Sequence, residues 1–229
     1  MNPSTPPRAL LSWSGGKDSA LALHRLRETG ALAVEGLLTT ITAEYDRISM
    51  HGVRRALLEA QAEAVGLPLR TVAIPPGCTN DEYEARTGAA LAAWAMEGGQ
   101  AVAFGDLFLA DVRGYRERLV SAHPLTPAFP LWGEDTTALA RRFVALGFRA
   151  VLVCVDPKQL DPRFAGRAYD DALLDELPAG VDPCGENGEF HTFVWDGPVF
   201  GRAVPVRAGE VVERGGFVFA DLLPALPTA

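Results

Sequence analysis

The 229-residue chain is 48% hydrophobic and 22% charged, which excludes wholesale disorder and suffices for the core of one large domain or two small ones. Its 21 Lys plus Arg against 29 Asp plus Glu leave a net charge of −8, which counts against a chain-wide nucleic-acid surface. No apolar run reaches the ~18 residues of a membrane helix, and Met1–Pro7 lacks the apolar centre of a secretory signal. Cys78, Cys154 and Cys184 form no C-x-x-C pair, which argues against a disulfide framework or a zinc knuckle. The expectation is a cytoplasmic protein without membrane contact.

Residues 8–13 are a short apolar run that predicts a first strand. A Gly-rich turn follows, then a helix over 19–29 with Gly30 in C-cap position. Residues 33–40 predict a second strand, and Val53, Ala56, Leu57, Ala60 and Ala64 mark one face of a helix closed by Gly66 and Pro68. A third strand over 69–74 stops at Pro75-Pro76; Thr79-x-x-Glu82 has capping-box form and opens a helix to about Met96. A fourth strand over 100–104 ends at Gly105-Asp106, and a helix over 111–121 follows. Apolar strands alternating with helices predict a parallel sheet covered on both faces, with ligands beyond the carboxyl ends of its strands. Those ends are residues 14–19, 39–51, 75–80 and 105–111.

Three prolines between 124 and 132 break this rhythm, and a division between domains 1–123 and 124–229 is expected there. Beyond it the pattern predicts a helix over 134–146, a strand over 150–155 and a charged, partly helical stretch over 158–177. Strands are expected over 190–195 and 199–206, with a hairpin of 210–213 and 217–221 around Arg214-Gly215-Gly216. The expected fold class is therefore α/β: a doubly wound parallel sheet with a smaller α+β C-terminal domain.

Ser14-Gly15-Gly16-Lys17-Asp18-Ser19 lies between the first strand and the first helix. Consecutive glycines let backbone N–H groups turn inward on an anion, and the following helix adds its positive end. Lys17 supplies a full positive charge, and Ser14 and Ser19 supply hydroxyl donors. A Walker P-loop is excluded, because Leu11 stands where its first glycine belongs and Asp18 where Ser or Thr would follow the lysine.

The hexapeptide resembles the signature of the PP-loop, or N-type, ATP pyrophosphatases. Their loop grips the β,γ-pyrophosphate of ATP, and their reaction breaks the α–β bond, usually by way of an adenylated substrate oxygen. The resemblance implies that Ser14, Gly15, Gly16 and Ser19 hold pyrophosphate, that Lys17 neutralises it, and that Asp18 helps to hold Mg²⁺. His51, after the second strand, and Gly105 and Asp106, after the fourth, fall to the ATP pocket of such enzymes.

Residues 182–194 pack three carboxylates, an amide, an imidazole and a thiol into a Gly-punctuated loop leading into a strand, more acid–base capacity than a structural turn needs. With the PP-loop, Gly185-Glu186-Asn187-Gly188-Glu189-Phe190-His191-Thr192 resembles the block Gly-Glu-x-Gly-Glu-aromatic-x-Thr of the diphthine–ammonia ligase family. Gly105-Asp106 with Asp111 and Arg113, Pro130-Leu131-Trp132 and Asp196-Gly197-Pro198-Val199-Phe200 match further landmarks in order.

This resemblance implies an ATP-dependent C–N ligase with a PP-loop domain and a substrate-recognition domain. A carboxylate is adenylated, then attacked by ammonia or an amine, giving an amide, AMP and pyrophosphate. Lys17, Asp18, Glu186 and Glu189 are then the catalytic set, the two glutamates positioning the amine or taking its proton. Asn187, His191 and Thr192 face the substrate. His191 stands where the family commonly carries an acid, so the reaction class is carried over and the acid is left open, as are the nitrogen donor and oligomeric state; a homo-oligomer is compatible with the sequence. Cys184 reads as a buried, inert thiol, and Arg113, Arg116 and Arg118 as a solvated helix face. The alternative readings are a tRNA-modifying PP-loop enzyme, disfavoured by the net charge and scattered cysteines, and a non-catalytic ATP sensor.

Overall fold

The computed structural model describes residues 5–48 and 52–225. β1 (Arg8–Ser12) is the central strand, with Ala9, Leu10 and Leu11 fully buried. Strand side chains alternate in direction, so Leu10 and Leu11 enter different cores. α1 (Lys17–Thr29) stops at Gly30, whose left-handed backbone (φ 64°) turns its N–H onto the Leu26 carbonyl. β2 (Ala33–Thr42) lies parallel to β1, and the short β3 (Arg47–Ile48) returns antiparallel along the end of β2. α2 (Arg55–Val65) leads to β4 (Leu69–Ile74), parallel to β2 on its other edge. α3 (Asn80–Met96) opens on the expected capping box, in which the Glu82 N–H donates to the Thr79 hydroxyl and the Thr79 N–H to the Glu82 carboxylate.

β5 (Ala101–Ala103), α4 (Ala110–Ser121) and β6 (Thr126–Ala128) complete this layer, β5 beside β1 and β6 beside β5. Five parallel strands thus run in the order β4-β2-β1-β5-β6. The chain leaves β1 first to one side and later to the other, which opens a crevice at the carboxyl end of β1. The proline-rich stretch contributes a strand to this sheet, and the division expected between 123 and 124 falls just ahead of it. Pro127 is tolerated because β6 is the edge: the Thr126 N–H reaches the Gln100 carbonyl at 2.9 Å, while the missing N–H of Pro127 would face outward.

The remainder builds a second, antiparallel sheet. α5 (Thr136–Ala145) and β7 (Arg149–Val155) are followed by a 3-10 turn (Pro162–Phe164) and α6 (Asp171–Glu176). β8 (Phe190–Asp196), β9 (Val206–Arg214) and β10 (Phe217–Pro224) complete it in the order β8-β7-β10-β9. The hairpin turns on Gly215 and Gly216, with φ of 59° and 81°. Residues 199–205, expected as a strand, are irregular. Gly201 and Pro205 interrupt them, and their backbone bonds are local to other elements, Gly201 N–H to Ala64 and Val204 N–H to Trp195.

One core joins Leu11, Leu23 and Leu58 to Phe143 and Phe193, so α1 and α2 share it with the second sheet. A second core, Leu10, Leu91, Trp94, Val102 and Val120, lies under α3 and α4 on the opposite face of the parallel sheet. No described helix is long and apolar enough to cross a membrane. Within the second core, Trp94 is 2% exposed and a Cβ at Gly99 would lie 2.2 Å from its indole. Gly99→Ala is therefore expected to displace the ring at a cost of about 1–3 kcal/mol, measured as a lower melting temperature with red-shifted indole emission.

Candidate functional site

β1 runs directly into the turn Ser14-Gly15-Gly16, and α1 begins at Lys17. Gly15 is required twice over: its φ is +75°, and a Cβ there would lie 2.6 Å from the Gln61 amide oxygen. Gly16 caps α1 without a side chain of its own, so the Lys17 N–H is taken instead by the Thr192 hydroxyl of β8, at 3.0 Å. The Gly15 carbonyl accepts from both the Val194 N–H (2.9 Å) and the Gln61 side-chain amide (2.9 Å). Gln61 is fully buried on α2; its oxygen accepts from the Trp13 indole (3.0 Å), and its amide also donates to the Val194 carbonyl. The loop is thus clamped between α2 and β8.

This clamp sets the donors around a cavity of about 210 Å³. Its first wall carries Ser14, Lys17, Asp18 and Ser19, with the Ser19 hydroxyl donating to the Gly16 carbonyl at 2.9 Å. Gly105 closes against that wall: a Cβ would come within 2.9 Å of the Asp18 carbonyl carbon, so only glycine lets the end of β5 sit so near α1. The opposite wall carries Glu186, His191 and Thr192. A second cavity, about 320 Å³, adjoins at the ends of β1, β2 and β5; it is mostly apolar, with Leu38, Leu91 and Val102 among its walls. Ser12, Ser14, Phe104, Arg116 and His191 line both, so the two form one trough.

The charges are arranged in compensated pairs. Lys17 is only 4% exposed, and its ammonium meets the Asp18 carboxylate at 2.7 Å. Burial works to discharge the lysine, but Asp18, with Cys184 and Glu186, outweighs it and the lysine pKa rises; burial also raises that of Asp18 against the pull of Lys17. Asp106 accepts from Arg116 at 3.2 Å, and Arg116 lies over the Phe104 ring. Arg116 is therefore a wall of the trough, not the solvated residue the sequence implied. Glu186 accepts from the Leu107 N–H at 2.7 Å, yet burial first, and Asp18 and Asp106 after it, push its carboxyl up to about 7. His191 is held down to about 4 by burial and by Lys17, so its imidazole is neutral near pH 7.

Not every expected residue reaches the trough. Glu189 is 2% exposed and turned into the 182–189 loop, accepting from the Asp182 N–H (3.0 Å) and the Asn187 amide (2.9 Å). Its other oxygen has no hydrogen-bond partner among the described residues. Neither Glu189 nor the exposed Asn187 lines the cavity. Cys184 does, but it is buried, near the Thr136 carbonyl (3.3 Å), and burial pushes its thiol up to about 12, as expected of an inert cysteine. His51 lies outside the described residues. Gln61 was missed, although the pattern carried a signal: it falls three and four positions after Leu58 and Leu57, a polar residue on an apolar stripe.

Two family profiles match the chain: the diphthamide synthase N-terminal domain over residues 8–122 and the diphthamide synthase C-terminal domain over residues 135–219. The chain belongs to the diphthamide synthase family. It is 28% identical over 231 residues to the diphthine–ammonia ligase of Homo sapiens, covering 91% of this chain and 86% of that protein. To the diphthine–ammonia ligase of Danio rerio it is 29% identical over 233 residues, covering 91% and 90%. The N-terminal family domain spans β1 to α4, and the C-terminal one holds Glu186, His191 and Thr192, so the trough is built from both.

Gln61→Leu would strip the Trp13 N–H of its partner and both carbonyls of a donor, at about 1–3 kcal/mol per group left unpaired. Calorimetry with inorganic pyrophosphate is expected to show affinity reduced by about tenfold or more; undiminished affinity would mean that the clamp does not set the loop. Glu186 yields a second test. Its raised pKa means that its contribution to stability is intact below the ordinary carboxyl range and lost as pH rises through about 7. Glu186→Gln, which cannot ionise, is expected to match wild-type stability near about pH 5 and exceed it near about pH 8 in urea unfolding.

Proposed function

We propose that this chain is an ATP-dependent ligase that adenylates a substrate carboxylate and forms a C–N bond with ammonia or an amine. The observation that carries this reading is the continuity of the trough. A Gly-rich loop at a helix N-terminus meets an apolar cavity across shared walls, and Glu186, a carboxyl poised near neutrality, lines the smaller chamber beside the loop. Adenosine fits the larger, apolar cavity, and the β- and γ-phosphates fit the smaller, beside Ser14, Lys17 and Ser19. The α-phosphorus then lies between them, where His191 reaches both.

In the first step a carboxylate oxygen bonds to the α-phosphorus and the α–β bridging bond breaks, leaving pyrophosphate on the loop. In the second, the nitrogen lone pair attacks the acyl carbon, AMP departs with the C–O bond's electrons, and the nitrogen loses a proton. Glu186, with its pKa near 7, is matched to receive that proton. Neutral His191 can hydrogen-bond the phosphate or acyl oxygens without adding charge.

Among the described residues no three ligands converge into a metal cage. Asp18 and Asp106 offer hard oxygen donors on the cavity wall, which suits a cation that arrives with the nucleotide and keeps most of its waters. Mg²⁺ held there would offset charge on the departing pyrophosphate. The second sheet, with the 182–192 block, is the substrate-recognition unit, as the resemblance to diphthine–ammonia ligases implies. Three cysteines free of disulfides fit a reducing, cytoplasmic setting.

Purified protein with ATP, Mg²⁺, ammonium and cell extract is expected to yield AMP and pyrophosphate, stimulated by the extract. Lys17→Ala should reduce AMP formation by about 100-fold or more while the protein stays folded by circular dichroism. ADP and phosphate as products would overturn the reading.

A further inference from the structure

Outside the trough lies a larger cavity, about 680 Å³, between the two sheets. One wall comes from β3 and the start of α2, the other from the β9–β10 hairpin. Its apolar lining includes Ile48, Val53, Val153 and Leu222, all buried. Ile48 also lines the larger chamber of the trough, so the two spaces share a wall residue.

The charge at this groove opposes that of the molecule. Its described lining holds four arginines, Arg47, Arg54, Arg207 and Arg214, against two carboxylates, Glu210 and Asp221, in a chain of net charge −8. Asp221 serves two guanidiniums at once, Arg47 at 3.0 Å and Arg54 at 2.5 Å. Arg207 and Arg214 are exposed on β9, and their guanidinium groups make no ion pair or hydrogen bond with a described residue. Arginines can keep an edge strand soluble, but that role does not call for an apolar cavity beside them. Guanidinium groups above an apolar floor are the usual means of holding a ligand with an apolar body and anionic groups.

We propose that this groove holds the acceptor, the molecule whose carboxylate is adenylated, and that the acceptor has an apolar body and at least one further anionic group. The proposal rests on the ligase reading above. The arginines anchor the far end of the acceptor, and the wall shared at Ile48 places its body against the nucleotide chamber.

The test uses full-length protein and 8-anilinonaphthalene-1-sulfonate, an apolar aromatic with one anionic group, titrated by fluorescence with ATP saturating. The expected result is a single class of site, weakened at least tenfold in the Arg207→Glu/Arg214→Glu double variant, with ATP affinity and melting temperature unchanged. The uncharged N-phenyl-1-naphthylamine should bind wild type and variant alike. Equal sulfonate affinity in the two proteins, or displacement of the probe by ATP, would overturn the anionic groove. The probe is also expected to inhibit extract-stimulated AMP formation competitively with the extract and not with ATP. Binding in the groove without such competition would overturn its assignment to the acceptor. If wild-type protein makes no AMP with any extract, the ligase reading fails, and the titration still decides whether the groove takes anions.

Discussion

The site depends on how one peptide group is held. Two adjacent glycines make a loop that can bring N–H groups to one point, but the same freedom lets it adopt many other shapes. Here the Gly15 carbonyl accepts from Gln61 on α2 and from the Val194 N–H on β8, and the first N–H of α1 is taken by Thr192. These bonds fasten the loop at both ends. They also tie the second sheet to the first helix, which is why the cores of the two layers are continuous through Leu23, Leu58 and Phe193.

The cavity beside this loop is lined by three carboxylates as well as a lysine. Each has its own compensation: Asp18 is paired with Lys17, Asp106 with Arg116, and Glu186 with the Leu107 N–H. Such pairing is what makes burial of these groups tolerable. A triphosphate entering this space would meet like charge, so a cation arriving with it would find a use for Asp18 and Asp106. Glu186 eases the same conflict differently, since with a pKa near 7 it can be neutral at little cost.

Much of this was legible in the sequence because the determining interactions are local. Gly30 and Gly66 end helices through their own backbone geometry, and Thr79 with Glu82 starts one within a single turn. The loop from Ser14 to Ser19 carries its chemistry in consecutive residues, so its motif could be read directly. Composition could not show which way a side chain turns. Glu186 and Glu189 look equivalent in the sequence, but backbone N–H groups capture one toward the cavity and the other into its own loop. Arg116 read as a solvated residue until Asp106 and the Phe104 ring, on neighbouring elements, came beside it.

The sequence by itself determined the alternation of strands and helices, the helix caps, the Gly-rich loop between β1 and α1 and the presence of a second acidic block, because each is written in residues a few positions apart. Only the tertiary structure decided that Gln61 and Thr192 would fasten the loop, that the strand at 126–128 would join the first sheet, and that arginines from β3, the cap of α2 and β9 would surround one groove. Those outcomes depend on side chains separated by tens to nearly two hundred positions meeting across packed layers. The pattern along a chain sets which face is apolar, but not which partner that face will find.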